Sequence, residues 1–150
     1  MDIEIQRQIN SAIQKLQKID GVLRRDIKGD LGKAGKIILT AIKSAAPKGE
    51  KTHRRYKDGR VVAVYKPGNL KRSIRQLPLR RAKSAVYLGP LSRGGVPDGF
   101  YARFIEGGTK YMTKKPFILP ATEASFPSAS RFALELLKRR VEKYANQVSV

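Results

Sequence analysis

The chain has 150 residues, a length typical of one domain that buries roughly two thirds of its unfolded surface. Its 32 Lys and Arg against 12 Asp and Glu give a net charge of +20, and it contains no cysteine. This composition excludes disulfides and thiolate sites, offers no apolar run near the ~20 residues of a membrane span, and favours contact with polyanions.

Helix is the first predicted element. Ile5, Ile9, Ile13 and Leu16 recur three or four positions apart, which predicts an amphipathic helix that ends at Asp20-Gly21. The same spacing from Leu23 to Ala45 predicts a second helix, closed by Pro47. Glycines 29, 32 and 35 lie inside it. They either admit another helix, such as one from a neighbouring subunit, or only weaken this one.

A basic segment follows at residues 48–66. Its first part, KGEKTHRRYKDGR, has almost nothing to bury and predicts a mobile loop or one that orders on contact. Asp58-Gly59 is a two-residue hairpin signal, with residues 61–65 as the returning strand. The segment is therefore a mobile basic loop or a hairpin. The lone histidine, His53, has no ligand residues beside it, so we expect no metal site.

The middle of the chain predicts turns and short strands. Pro67-Gly68 makes a turn, and Asn69 can cap a short segment over residues 70–74. Residues 74–89 predict two strands joined near Arg80-Arg81, and SRGGVPDG at 92–99 is a connecting loop.

Positive charge is concentrated in this middle part, because residues 31–90 hold sixteen bases and two acids. We interpret it as a face toward DNA phosphates or an acidic partner, with a solvated face as the alternative. The candidate side chains are Lys71, Arg72, Arg75, Arg80, Arg81 and Lys83.

The stretch from Tyr101 to Ala121, YARFIEGGTKYMTKKPFILPA, is the most apolar in the second half. It begins as a short helical turn or a bent strand, and Gly107-Gly108 permits a reversal. Pro116 and Pro120 bracket a run that we expect to be an extended edge or a buried connector. Glu106 is interpreted as a structural carboxylate that accepts hydrogen bonds from turn amides or an arginine. The alternative is a general base beside Thr109 and Tyr111.

A last helix is predicted to open at Ser128, after Pro127. Its Lys138, Arg139, Arg140 and Lys143 suit the negative end of the helix dipole, with a role in gripping DNA as the alternative. The predicted fold class is α+β: a long N-terminal helical region, a small antiparallel sheet and a C-terminal helix, in a single domain over residues 1–150. One histidine and twelve scattered acids give few ways to assemble a catalytic site, so we expect no enzyme and no cofactor.

Four motifs in order resemble one family. They are AAP at 45–47 after a long helix, GNLKRSI at 68–74, YARFIEGGT at 101–109 and PFILPA at 116–121. Over roughly residues 30–145 the chain resembles the minor tail or head-tail joining proteins of tailed bacteriophages, also called tail-completion or neck proteins. Two features depart from the family pattern, namely the insertion of about twenty residues after Pro47 and the +20 charge.

The resemblance implies a ring, usually of six copies, at the head-proximal end of the tail. Such a ring touches the head connector or adaptor on one side and the tail terminator or tail tube on the other, and genome DNA passes through it. The protein would reside in the virion neck or tail, be assembled in the host cytoplasm and have no membrane contact. The matching motif and assembly residues are Pro47, Gly68, Leu70, Ser73, Ile74, Tyr101, Ala102, Glu106, Gly108, Thr109, Pro116, Phe117 and Pro120.

The competing class is a free, non-specific nucleic-acid-binding or architectural protein. Charge alone supports it, because the basic stretches lack both a recognition-helix pattern and interleaved stacking aromatics. A hydrolase that acts during infection is the weakest class.

Overall fold

A computed structural model describes residues 3–78, 85–92 and 96–148 of the chain. Its elements, in order, are α1 (Ile3–Ala45), β1 (His53–Lys57), β2 (Arg60–Tyr65), α2 (Asn69–Ser73), β3 (Ile74–Pro78), β4 (Val86–Pro90), α3 (Ala102–Gly107) and α4 (Ile118–Val148). The α+β prediction is confirmed. The strands form two separate two-stranded antiparallel sheets, β1-β2 and β3-β4. Within the described ranges, no helix is long and apolar enough to cross a membrane.

The predicted break at Asp20-Gly21 is wrong, because α1 runs unbroken for 43 residues, about 64 Å. The Asp20 carboxylate accepts a hydrogen bond from Arg24 Nε one turn later, at 2.7 Å. An added Cβ at Gly21 would meet nothing within 4 Å. In the sequence, Leu16, Ile19 and Leu23 carry the apolar stripe across the glycine. A single exposed glycine costs about 1 kcal/mol and does not end a helix whose stripe continues.

At two of the α1 glycines, the β3-β4 sheet of the same chain, rather than another helix, approaches the helix backbone closely. A Cβ at Gly32 would lie 2.8 Å from Gln76 Nε2, and one at Gly35 would lie 3.3 Å from Leu88 Cδ2. The sheet therefore sits directly on the helix backbone at these positions.

The β1-β2 hairpin turns at Asp58 (φ 50°) and Gly59 (φ 72°), which confirms the predicted turn. Its register pairs Arg54 with Val64 and shifts by one residue at the bulge between Arg55 and Tyr56. The polar loop expected at 48–60 is thus a strand over part of its length. The two strands expected within 74–89 are also present as β3 and β4, paired from Ile74↔Pro90 to Pro78↔Val86.

The last helix begins at Ile118, ten residues before the predicted start at Ser128. The extended edge or connector expected at 116–120 is therefore wrong from residue 118 onward, where the chain is helical. Pro120 is compatible with a first helical turn, where backbone N–H groups have no intrahelical acceptor. Pro127 lies in the helix interior, where proline usually costs about 3 kcal/mol. The helix continues past Pro127, and Ser130 Oγ donates to the Pro127 carbonyl at 3.0 Å.

The core lies where α1, α2, α3 and the start of α4 meet. Its buried apolar members are Ile42, Leu70, Ile74, Ala102 and Phe117. This core is small for the chain, which exposes 11514 Å² of surface. A compact monomer of 16.8 kDa would expose about 7,700 Å². The single subunit therefore leaves far more surface uncovered than a self-sufficient globule does.

Candidate assembly surfaces

Glu106, on α3, holds the first turn of α4. Its Oε2 accepts hydrogen bonds from the backbone N–H groups of Phe117 (2.9 Å) and Ile118 (3.1 Å), and its Oε1 accepts one from Leu119 (3.0 Å). The next residue, Pro120, has no N–H group. One carboxylate thus satisfies the helix terminus, and its negative charge suits the positive end of the helix dipole.

Burial of the Glu106 carboxyl opposes its ionisation. The three N–H groups of the α4 terminus outweigh that burial and hold the pKa of Glu106 below its ordinary value of 4.5. Glu106 is therefore a structural carboxylate, as the sequence indicates. The amides it binds belong to the start of α4 rather than to the turn at 107–108.

Asn69 ties α2 to the loop that precedes α3. The sequence predicts that Asn69 caps α2, but α2 begins without a side-chain cap, and the Asn69 side chain is buried. Its Nδ2 donates to the Asp98 carbonyl at 2.6 Å and to Tyr101 Oη at 3.2 Å, while its Oδ1 accepts from the Asp98 N–H at 3.3 Å. This two-way amide bond fixes the loop against α2. Sequence reasoning misses it because the partners are 29 positions apart.

The resemblance motifs mostly build the fold. Buried in it are Leu70, Ser73, Ile74, Ala102 and Phe117. Gly68 and Gly108 supply positive φ angles of 77° and 76° at the ends of α2 and α3. Exposed are Pro47, Thr109, Pro116 and Pro120, while Tyr101 is half-buried. The motif residues that could contact a partner directly are therefore a minority.

A charged cluster that the sequence does not suggest joins the two long helices. Arg140 of α4 donates from Nε and Nη2 to the buried Asp30 of α1, at 2.8 and 3.1 Å, and from Nη1 to Asp26 at 2.6 Å. Tyr144 Oη also donates to Asp26, at 2.7 Å. The hydrogen bond from Arg140 lowers the pKa of the Asp30 carboxyl despite its burial. In the sequence, the four-residue spacing of Asp26 and Asp30 is the signal that could have indicated this cluster, because it places both carboxylates on one face of α1. From the sequence, Arg140 is interpreted as a cation near the negative end of the helix dipole.

Three of the six candidate basic residues lie within the described part of the chain. Lys71, Arg72 and Arg75 are exposed at the α2-β3 junction. Arg72 Nη1 donates to the Pro67 carbonyl at 3.0 Å and so closes the turn at Gly68. Arg80, Arg81 and Lys83 lie outside the described residues.

The β1-β2 hairpin carries an exposed apolar set that we call the hairpin surface. Its members are Tyr56, Val61, Val62 and Val64. Val61 pairs with Tyr56 and Val64 pairs with Arg54, two positions before Tyr56 on β1, so Tyr56, Val61 and Val64 share one face of the hairpin. Val62 is the extra residue at the bulge. Tyr65 holds the hairpin base, with its ring centroid 6.4 Å from that of Phe100. A cleft of about 910 Å³ separates the hairpin from the body, with Tyr65, Phe100 and Tyr101 in its lining and Lys51 and Arg54 among its basic residues.

A second exposed apolar set runs along α4, and we call it the helix surface. Its members are Leu119, Phe126, Leu134 and Val141, each more than half exposed. Their spacings of seven, eight and seven positions place them on one stripe of the helix, about 33 Å long. No group of three or more His, Cys, Asp or Glu that could hold a metal ion occurs among the described residues.

Comparison with known proteins gives one family. The model of the family described as "Bacteriophage HK97-gp10, putative tail-component" matches residues 10–108, about two thirds of the chain. The match spans most of α1 through α3 and includes Glu106, whereas α4 lies beyond it. No curated protein and no solved structure matches the chain significantly. The chain belongs to the HK97-gp10-like family of structural components of bacteriophage tails.

Proposed function

We propose that this protein is a single-domain neck subunit that forms a ring at the head-proximal end of the phage tail. The ring joins the tail to the head connector and surrounds the path of the DNA. Family membership carries this proposal, because it places the chain among phage tail components. The large exposed surface of the single chain supports an assembled state.

Assembly rather than reaction is the mechanism. A closed ring forms when one surface of each subunit binds a different surface of the next, and the rotation closes. The hairpin at residues 53–65 supports such a contact, because the side chains of its two strands are almost all exposed. Six copies is the number that the family resemblance favours.

Basic side chains give the ring a surface for the genome or for an acidic partner. Lys71 and Arg75 are exposed near each other, and the chain as a whole carries +20. Contacts to DNA phosphates would be independent of base sequence, as a passing genome requires.

Native mass measurement across a concentration series at moderate and high salt tests the proposal, together with negative-stain images of the heaviest species. We expect a salt-resistant ring, with six copies and a central hole. Antibody labelling of intact virions should then place the protein at the junction of head and tail.

The second candidate, a free nucleic-acid-binding protein, is favoured by the net charge of +20. A protein of this kind would stay monomeric at every concentration, would condense duplex DNA and would be absent from purified virions. That set of results would reject the neck assignment.

A further inference from the structure

Each chain carries two apolar surfaces that its own fold leaves uncovered. In the hairpin surface, Tyr56 is 60% exposed and Val62 is 53% exposed. In the helix surface, Leu134 is 59% exposed and Val141 is 61% exposed. Single exposed apolar residues are ordinary, whereas exposed apolar patches of several hundred Å² mark interaction sites.

The hairpin needs a covering partner more than the rest of the fold does. Among the residues that the structure describes, its two strands pair with each other and with no further strand, and every residue of β1 is exposed. A two-stranded hairpin is at best marginally stable in water unless a helix or further strands cover one face. Within the described part of the subunit, the contact between the aromatic side chains of Tyr65 and Phe100 holds the base of the hairpin.

The helix surface has the form that such a hairpin requires. It is a stripe of apolar side chains on a helix that Glu106 and Arg140 fix to the body at two separate points. Taking about 150–250 Å² for a large side chain, the two surfaces together expose roughly 800 Å² of apolar area. A standard interface buries about 1,600 Å² in total, just over half of it apolar. The two surfaces therefore supply at most about the apolar part of one standard interface.

Charge does not favour this pairing. The hairpin bears Arg54, Arg55, Lys57 and Arg60. On α4, the exposed acids Glu123, Glu135 and Glu142 are outnumbered by the exposed bases Arg131, Lys138, Arg139 and Lys143. Apolar burial therefore supplies the binding, and salt should not weaken it, because salt screens repulsion between the two basic surfaces.

We infer that the hairpin surface of one copy docks on the helix surface of the next copy. The contact uses two different surfaces, so it is the head-to-tail kind from which closed rings are built. This inference rests on the proposed ring and specifies the contact that would close it.

Disulfide trapping tests the contact directly, because the native chain has no cysteine. One pool carries Val62→Cys. A second, mass-tagged pool carries Leu119→Cys, Phe126→Cys, Leu134→Cys or Val141→Cys, one at a time. The matched control is Arg139→Cys, an exposed position on the far side of α4. After mixing and mild oxidation, we expect at least one helix-surface cysteine to crosslink with residue 62 at least tenfold faster than the control does.

Native mass of Leu134→Asp and Arg139→Asp gives a second, independent readout. We expect Leu134→Asp to shift the protein to monomers at concentrations where Arg139→Asp still assembles. A ring that forms while residue 62 crosslinks no faster with the helix surface than with residue 139 would overturn the inference and leave the neck assignment standing. A wild-type protein that is monomeric throughout would overturn the inference and also count against the ring.

Discussion

At the scale of single residues, the Glu106 side chain joins two helices through three hydrogen bonds. It satisfies three backbone N–H groups at the start of α4 and links α3 to the longest helix of the second half. Hydrogen bonds to a charged group contribute about 1.5–3 kcal/mol in net stability. We therefore expect Glu106→Ala to lower the free energy of unfolding by about 2–3 kcal/mol in urea denaturation at pH 7. Glu106→Gln, which keeps an acceptor oxygen, should lose about half of that. A loss no larger than that of Glu135→Gln, an exposed change on α4, would contradict this role.

The same carboxyl predicts a pH dependence. Its pKa is lower in the folded protein than in the unfolded chain, so the stability it contributes is complete above its ordinary value of 4.5. That contribution is lost as the pH falls below 4.5 through the lower folded-state pKa. The stability difference between the native protein and Glu106→Gln should therefore be constant at neutral pH and shrink in acid.

At the scale of elements, the α1-α4 pair depends on the cluster around Arg140. Removing Arg140 takes the main partner from the Asp30 carboxylate, which is 2% exposed, and leaves it with the more exposed Lys33, 3.2 Å away. We expect Arg140→Met to lower the melting temperature by roughly 10 °C. Arg139→Met, one position away and exposed, should change it by no more than about 2 °C. Equal melting temperatures for the two variants would mean that the cluster does not hold the helices together.

Elements differ in how far the sequence alone determines them. The period of the apolar residues predicts helix on both sides of Gly21, though not the unbroken α1, and the Asp58-Gly59 pair predicts the hairpin turn, because both are local signals. The start of α4 is not local, since Pro116, Pro120 and Pro127 argue against a helix there. The Glu106 carboxylate stabilises this helix start by accepting hydrogen bonds from backbone N–H groups that lie eleven to thirteen positions later in the chain. The Asn69-Asp98 and Arg140-Asp30 contacts escape prediction for the same reason, because they join residues 29 and 110 positions apart.

At the scale of the whole molecule, the net charge of +20 predicts binding to polyanions, and salt should weaken that binding steeply. We expect the logarithm of affinity for a random duplex to fall linearly with the logarithm of salt concentration. Lys71→Glu combined with Arg75→Glu should reduce this slope by roughly 2, because each of the two side chains neutralises about one phosphate. Fluorescence anisotropy across a sodium chloride series measures it.

Lys110→Glu combined with Lys114→Glu is the charge-matched control, on exposed residues after α3. The same slope change in both double variants would mean that DNA senses only the total charge, with no dedicated face at α2-β3. No change in either would remove DNA from the partners that the basic residues serve.

The Glu106 contact has a further consequence for how such a subunit can diversify. Glu106 binds α4 through main-chain N–H groups, which every residue type except proline presents. The direction in which α4 leaves the body is therefore set inside the segment that the family model covers, whereas the side chains of α4 lie outside it. Mutation can accumulate on the outer face of α4 without changing the helix axis. A phage lineage can thus alter what this helix touches while it inherits the same scaffold.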